Sequence, residues 1–247
     1  MNADWLEADW PAPPKVRVIS TFRGEATGVS RAPFASLNLG DHVGDDPQIV
    51  AENRRRLREA AGLPSEPKWL AQVHGVTVAD LDAGTPVAPA DAAIARRGGV
   101  VCAILTADCL PIVLATESGD RIAAAHGGWR GLAAGVLEAT VRSLGGPPER
   151  LMAWLGPAIS PEHFEVGAEV REAFLSRDSQ SGEAFRPNRR GRFMADLGLL
   201  ARRQLNALGI GRIYGGGECT YARADRYFSY RRDGVTGRQA TLIWREA

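Results

Sequence analysis

A chain of 247 residues, 45% hydrophobic and 24% charged, has the balance of a globular protein and excludes a disordered or fibrous one, while its length leaves one large domain or two small ones open. Thirty Lys and Arg against 29 Asp and Glu leave a formal charge of +1, which removes the basic footprint expected of a general nucleic-acid binder. The most apolar run, Val100 to Ala115, is interrupted by Thr106, Asp108 and Pro111 and falls short of the roughly 20 apolar residues that span a bilayer, so no membrane partner is expected.

Residues 1–15 read as a Pro-rich lead-in, and 16–247 as a single domain. The acidic start MNADWLEADWPAPPK lacks the basic end and apolar stretch of a signal peptide. Three cysteines, Cys102, Cys109 and Cys219, are too few for a disulfide framework, and a cytoplasmic location is expected. Lys occurs only at 15 and 68; the many Arg residues supply forked donors suited to phosphate and carboxylate.

In chain order, Lys15 to Ser20 alternates as a first strand, and Arg23 to Gly44 is too irregular for a helix, as befits a functional loop or a set of short strands. Asp46 caps a helix running to Ala61, with Ile49, Asn53 and Leu57 at helical spacing and Gly62 as the stop. Trp69 to Val73, Thr77 to Leu81, Val100 to Thr106, Pro111 to Ala115 and Ile122 to Ala125 read as strands, the last two joined by a hairpin at Ser118-Gly119-Asp120. A helix is expected from Leu132 to Leu144, a strand at Met152 to Leu155, and a helix near Gly167 to Leu175. A polar loop from Arg177 to Arg192, a helix near Asp196 to Leu208, and a final strand at Ala240 to Trp244 complete the chain. A β-rich middle flanked by helices suggests one α+β or mixed α/β domain.

The chain contains four histidines, His42, His74, His126 and His163. His74 and His126 each follow an apolar run and precede glycine, so both sit at strand ends with room beside them. Cys109, in TADCLP, occupies the same kind of position. Two imidazoles and a thiolate form a donor set that Zn²⁺ accepts while keeping a fourth position open. The same residues also fit a Cys-His nucleophile pair, or a small core thiol beside two structural histidines.

Asp108, next to Cys109, is a candidate general base, a partner to a ligand, or a turn residue. Gln72 would share the face of His74 in a strand, as a polar contact in the site or as an exposed amide. Gly127-Gly128-Trp129-Arg130-Gly131, ahead of a helix, can turn N–H groups and the Arg130 fork toward an anion such as phosphate, or serve as a plain connection. Arg23, Ser36 and Asn38 are polar candidates in the irregular loop, whereas Arg189, Arg190 and Arg192 read as a solvated face. Cys102 and Cys219 are expected to be buried neutral thiols.

Six blocks, SLNLGDHVGDD, WLAQVHG, TADCLPI, AHGGWRG, WLGPAIS and ECTYARADRYFSYRRDG, occur in this order. Together they resemble the YfiH or laccase-domain family, variously described as polyphenol oxidases, peptidoglycan editing factors and multifunctional purine nucleoside enzymes. The resemblance spans roughly Thr21 to Trp244 and implies one α/β/β sandwich of YfiH-like type. It places zinc ligands on His74, Cys109 and His126. It departs upstream, where the family often carries Gly-Gly-Val-Ser close after an Arg and this chain has a longer segment after Arg23.

The activity the resemblance implies is zinc-dependent purine nucleoside phosphorolysis, methylthioadenosine included, together with adenosine deamination. In this reading Asp108, Cys109 and His126 act in catalysis, and Arg23, Ser36, Asn38, Gln72 and Arg130 bind substrate. Deamination follows from the site, because Zn²⁺ brings the pKa of water down to about 7 for attack at C6 of adenine. The alternative is a peptidoglycan-editing hydrolase that removes L-Ser from UDP-MurNAc-L-Ser. A copper polyphenol oxidase is disfavoured by arithmetic, since four histidines cannot furnish several copper centres, although one Cu²⁺ could occupy a His₂Cys site. A non-catalytic domain with structural zinc is a further reading. Oligomeric state is not legible in the sequence.

Overall fold

A computed structural model of the chain describes residues 4–13, 15–24, 27–83 and 89–246. Residues 1–3 and 14 of the expected lead-in, 25–26 of the irregular N-terminal stretch, and 84–88 and 247 lie outside them.

The described elements run in the order β1 (Trp5–Glu7), β2 (Val16–Thr21), α1 (Pro47–Ala60), β3 (Val78–Asp80), β4 (Ala92–Ala95), β5 (Val101–Thr106), β6 (Leu110–Thr116) and β7 (Ile122–Gly127). There follow α2 (Trp129–Ala134), α3 (Val136–Leu144), β8 (Leu151–Leu155), β9 (Glu165–Val166), α4 (Ala168–Leu175), β10 (Phe185–Pro187) and β11 (Phe193–Ala195). The chain closes with α5 (Leu197–Ala207), β12 (Arg212–Gly215), α6 (Tyr230–Asp233) and β13 (Gln239–Arg245).

The strands form a four-stranded sheet ordered β1-β2-β13-β5, a six-stranded sheet ordered β12-β8-β6-β7-β4-β3, and a small sheet ordered β10-β11-β9. The two larger sheets face each other, and side-chain alternation explains how. In β5, Cys102 and Ile104 point into a core shared with Val113 and Ala115 of β6 and Ile122 and Ala124 of β7. The alternate residues Val101, Ala103 and Leu105 pack outward against Leu57 of α1 and the loop residues Leu37 and Leu39. On the far side of the six-stranded sheet, Ile112, Leu114, Ala123 and Ala125 pack against Leu132, Val136, Leu137 and Val141 of α2 and α3 and Leu200 of α5. Strands covered on both faces are apolar throughout, and β5, β6 and β7 are buried along their whole length. The architecture is the expected mixed α/β sandwich.

Local chemistry sets the element boundaries. Asp46 accepts from Gln48 N at the start of α1, and Asp196 accepts from Leu199 N at the start of α5. The helix expected from Leu132 to Leu144 starts earlier, at Trp129, and breaks at Gly135, whose φ of 102° stops α2 and lets α3 set off afresh.

The expected strand Trp69 to Val73 does not form; a single bridge joins Lys68 to Cys102. Gln72 accounts for the difference, because its side-chain amide occupies the ladder in place of backbone. Its Nε2 donates 2.9 Å to Leu105 O and its Oε1 accepts from Leu105 N at 2.8 Å. The polar stretch from Arg177 to Arg192 is not all loop, since it contains a 3₁₀ turn (Ser179–Ala184) and β10. No helix among the described residues is long and apolar enough to cross a membrane.

Candidate metal centre

Antiparallel pairing of β6 with β7 sets Pro111 opposite His126 and Leu110 opposite Gly127. Cys109, one residue ahead of β6, therefore meets the far end of β7 although 17 positions separate it from His126. Pairing of β4 with β7 sets Ala92 opposite Ala125 and brings Asp91 alongside, where its carbonyl accepts from His126 N at 2.7 Å. His74 arrives from the loop ahead of β3.

His74, Cys109 and His126 each offer a ligand atom, and all three atoms lie within 4.8 Å of one another. Cys109 Sγ stands 3.9 Å from His74 Nε2. The two imidazoles meet edge to face with centroids 4.7 Å apart. His126 is buried, Cys109 half-buried and His74 exposed, so the cluster sits at the inner end of an opening rather than inside the core. Among the described residues, the non-glycine positions with positive φ are His74 (60°) and Asp108 (95°). Backbone held in that costly region on both arms of the cluster is the signature of a site the surrounding fold over-determines.

Asp91 organises the cluster from behind. Its Oδ1 accepts from His126 Nδ1 at 2.8 Å and from His74 N at 2.8 Å. Its Oδ2 accepts from Gly75 N at 2.7 Å and Val73 N at 3.1 Å. Burial pushes the Asp91 carboxyl up, but the His126 imidazole and the N–H groups of Gly75 and Val73 outweigh it and hold the group below the usual carboxylate range. A carboxylate can only accept, so the His126 proton sits on Nδ1 and Nε2 is turned to the cluster.

Burial likewise opposes charge on Cys109, yet the neighbouring His126 and His74 imidazoles overcome it and bring the thiol down to about 6. Burial would lower His126, but the thiolate of Cys109 and the Asp91 hydrogen bond raise it to about 9. Without a metal the pair therefore rests as thiolate and imidazolium, titrating as one unit. The Asp91 hydrogen bond to Nδ1 leaves Nε2 as the nitrogen that would release its proton on metal binding, and two imidazoles and a thiolate suit a borderline-soft divalent ion with an open position. His42 and His163 are elsewhere, one exposed beside Asp41 and the other stacked on Tyr221.

The cluster opens into a cavity of about 320 Å³ lined by His74, Ala107, Asp108, Cys109, Trp129, Arg130, Ile159, Phe164, Leu197, Tyr230 and Arg231. Its lining combines apolar and aromatic side chains with two guanidinium groups. Arg130 is exposed and lies with its carbon centre 4.5 Å from the Trp129 ring, and Arg231 lies 5.2 Å from the Phe164 ring. Arg231 NH1 donates to Glu165 O at 2.9 Å. Asp108 is buried, with Oδ1 accepting from Thr220 Oγ1 and Oδ2 from Arg231 N, both at 2.7 Å.

Of the residues singled out from sequence, His74, Asp108, Cys109, His126 and Arg130 come together here. Arg23, Ser36, Asn38 and Gln72 are not among the lining residues, and hydrogen bonds within the fold engage them. Arg23 donates to Ala35 O and Ala224 O and lies over Phe228. Ser36 donates its N–H to Arg23 O and its carbonyl accepts from Ser30 N. The Asn38 side chain, fully buried, donates to Asp45 Oδ2 and Gly40 O and accepts from Gly40 N and Arg238 N.

Cys102 is a buried thiol as expected, pushed far above the ordinary range by burial. Cys219 is not: it is half-buried, and its Sγ accepts from Ser160 N and Ala222 N at 3.4 Å each, because its loop wraps back on the sulfur. Asp91 carries one signal in the sequence, as a lone acid directly ahead of the apolar run Ala92–Ala95, and was not among the residues expected at the site. Tyr230 and Arg231, which line the cavity, were not expected there either and stand inside the block ECTYARADRYFSYRRDG.

Residues 19–246 match the family described as multi-copper polyphenol oxidoreductase laccase. Over 245 residues the chain is 56% identical to a purine nucleoside phosphorylase of Pseudomonas aeruginosa, covering 99% of each. It is 50% identical over 237 residues to the purine nucleoside phosphorylase YfiH of Escherichia coli K12, covering 95% of this chain and 96% of that one. A Neisseria meningitidis crystal structure superposes with a TM-score of 0.94 at 46% identity, covering 99% and 100% of the two chains. YlmD of Geobacillus stearothermophilus does so with 0.90 at 31%, covering 100% and 98%.

Proposed function

The chain belongs to the multi-copper polyphenol oxidoreductase laccase family, and within it we propose a zinc-dependent purine nucleoside phosphorylase that also deaminates adenosine and takes methylthioadenosine. The observation that carries this reading is the meeting of His74, Cys109 and His126 at one end of a cavity with aromatic lining and a guanidinium, Arg130, that has no hydrogen-bond or ion-pair partner among the described residues. The purine nucleoside phosphorylase names of close relatives support it.

Cavity size is in the range for a small ligand, on the order of 300 to 1,000 Å³. Zinc held by His74, Cys109 and His126 would supply Lewis-acid polarisation of a substrate oxygen. The chain's own groups do the rest. The aromatic and apolar lining of Trp129, Ile159, Phe164 and Leu197 flanks the purine. Arg130 and Arg231 hold phosphate, their forks matching two oxygens at once. In phosphorolysis a phosphate oxygen bonds to ribose C1′ as the bond from C1′ to the purine nitrogen breaks, and the departing base takes a proton. Asp108, fixed by Thr220 and Arg231 N, is the proton acceptor we assign for deamination. One three-donor cluster among the described residues suits one metal ion, not the several coppers of a multi-copper oxidase.

The test is product analysis with zinc-loaded protein, incubated with adenosine with and without phosphate and, separately, with UDP-MurNAc-L-Ser. Free base appearing only with phosphate, and inosine without it, are expected. Release of serine with neither base nor inosine from adenosine would overturn the assignment in favour of peptidoglycan editing.

A further inference from the structure

We propose that Asp91 is a positioning residue for the metal centre, one carboxylate that sets both histidine arms for ligation. This rests on the metal-site reading above and adds to it a residue that touches no substrate.

The two arms are held differently. His126 lies within β7, fixed by its strand and buried. His74 is exposed, in a turn whose neighbours Val73 and Val76 are exposed apolar residues. Among the described residues, the hydrogen bonds that the N–H groups of Val73, His74 and Gly75 make all go to Asp91. Three successive N–H groups converging on one anion form a nest that fixes the left-handed conformation at His74. The fourth donor is His126 Nδ1. Asp91 itself is completely buried, so water cannot substitute for it on either side.

The partition of the four donors makes the carboxylate irreplaceable by its own isostere. Oδ1 takes His74 N and His126 Nδ1, while Oδ2 takes Val73 N and Gly75 N. An asparagine has one acceptor and one donor end. With oxygen in the Oδ1 position, its NH₂ confronts the N–H groups of Val73 and Gly75, and the turn carrying His74 opens. With oxygen in the Oδ2 position, its NH₂ confronts both His74 N and His126 Nδ1; the His74 N–H loses its acceptor, and the imidazole must accept, so that its proton moves to Nε2 and that nitrogen cannot ligate. Either orientation disturbs at least one arm.

The experiment measures zinc affinity by chelator competition for the wild type, Asp91→Asn and His74→Ala, together with amide exchange at residues 73–75 in the wild type. Partners behind a ligand commonly change metal affinity by about 10- to 100-fold. We expect Asp91→Asn to weaken zinc binding by that factor, and the amides of Val73, His74 and Gly75 to be protected although their turn is exposed. A wild type that binds zinc no tighter than His74→Ala would defeat the metal reading itself. A wild type that binds tightly, with Asp91→Asn equal to it, would defeat this proposal alone. Should Asp91→Asn fail to fold, unprotected amides at 73–75 in the wild type would overturn the coupling, and protected ones would uphold it.

Discussion

Gly128 lies so close against His74 that a Cβ built on it would stand 2.7 Å from the imidazole Cδ2 and 3.3 Å from Cys109 Sγ. Its backbone, at φ −66° and ψ 149°, is ordinary extended chain that alanine adopts without strain. Gly128→Ala should therefore leave the fold intact and push His74 out of the cluster. The expected outcome is at least tenfold weaker zinc binding in chelator competition with an unchanged circular dichroism spectrum; equal affinity would show that His74 has room to give.

The metal-free thiol of Cys109 should be reactive at neutral pH. Held at about 6 by His126 and His74, it is thiolate above that pH and thiol below it, so iodoacetamide alkylation should rise through pH 6 and level off by pH 7. His126→Ala removes the main opposing charge, and the midpoint should move up toward the ordinary thiol value of about 8.5. Zinc should protect Cys109. An alkylation profile of the wild type that climbs only above pH 8 would contradict the thiolate and imidazolium pairing.

Arg130 stacks on Trp129 without any hydrogen-bond acceptor or ion-pair partner among the described residues, so a substitution there removes little from the fold. In the phosphorylase reading, Arg130→Met should raise the KM for phosphate tenfold or more, about 1.4 kcal/mol, and leave the KM for nucleoside within twofold. A nucleoside KM that moves as much as the phosphate KM would place the guanidinium on the wrong substrate.

Asn53 carries a structural load far from the cavity. Completely buried on α1, it accepts from Val29 N and donates to Ser30 Oγ, Asn38 O and Ser36 O, pinning the irregular N-terminal loop to the helix. Asn53→Ala strands several of these groups away from water, at about 1 to 3 kcal/mol for an unsatisfied buried group. Urea unfolding should show a loss in that range, with zinc affinity unaltered; a loss under about 0.5 kcal/mol would mean that the loop is held by other contacts.

Much of this protein was written in local pattern. The Asp46 cap, the spacing of Asn53 and Leu57, the turn at Ser118-Gly119-Asp120 and the apolar runs of β5, β6 and β7 follow from propensity and burial acting on neighbours in the chain, and the sequence shows them. The chemistry of His74, Cys109 and His126 was legible too, because donor type and flanking glycines are local properties. Pairing register was not. That residue 109 meets 126, and that a lone acid at 91 reaches both histidines, depends on the alignment of β6 and β4 with β7, which long-range packing of two sheets decides. The same limit explains Gln72, whose amide takes a backbone's place in a ladder, and the N-terminal loop residues Arg23 and Asn38. A polar side chain in the sequence carries no mark of whether the tertiary structure will spend its hydrogen bonds on a ligand or on the fold.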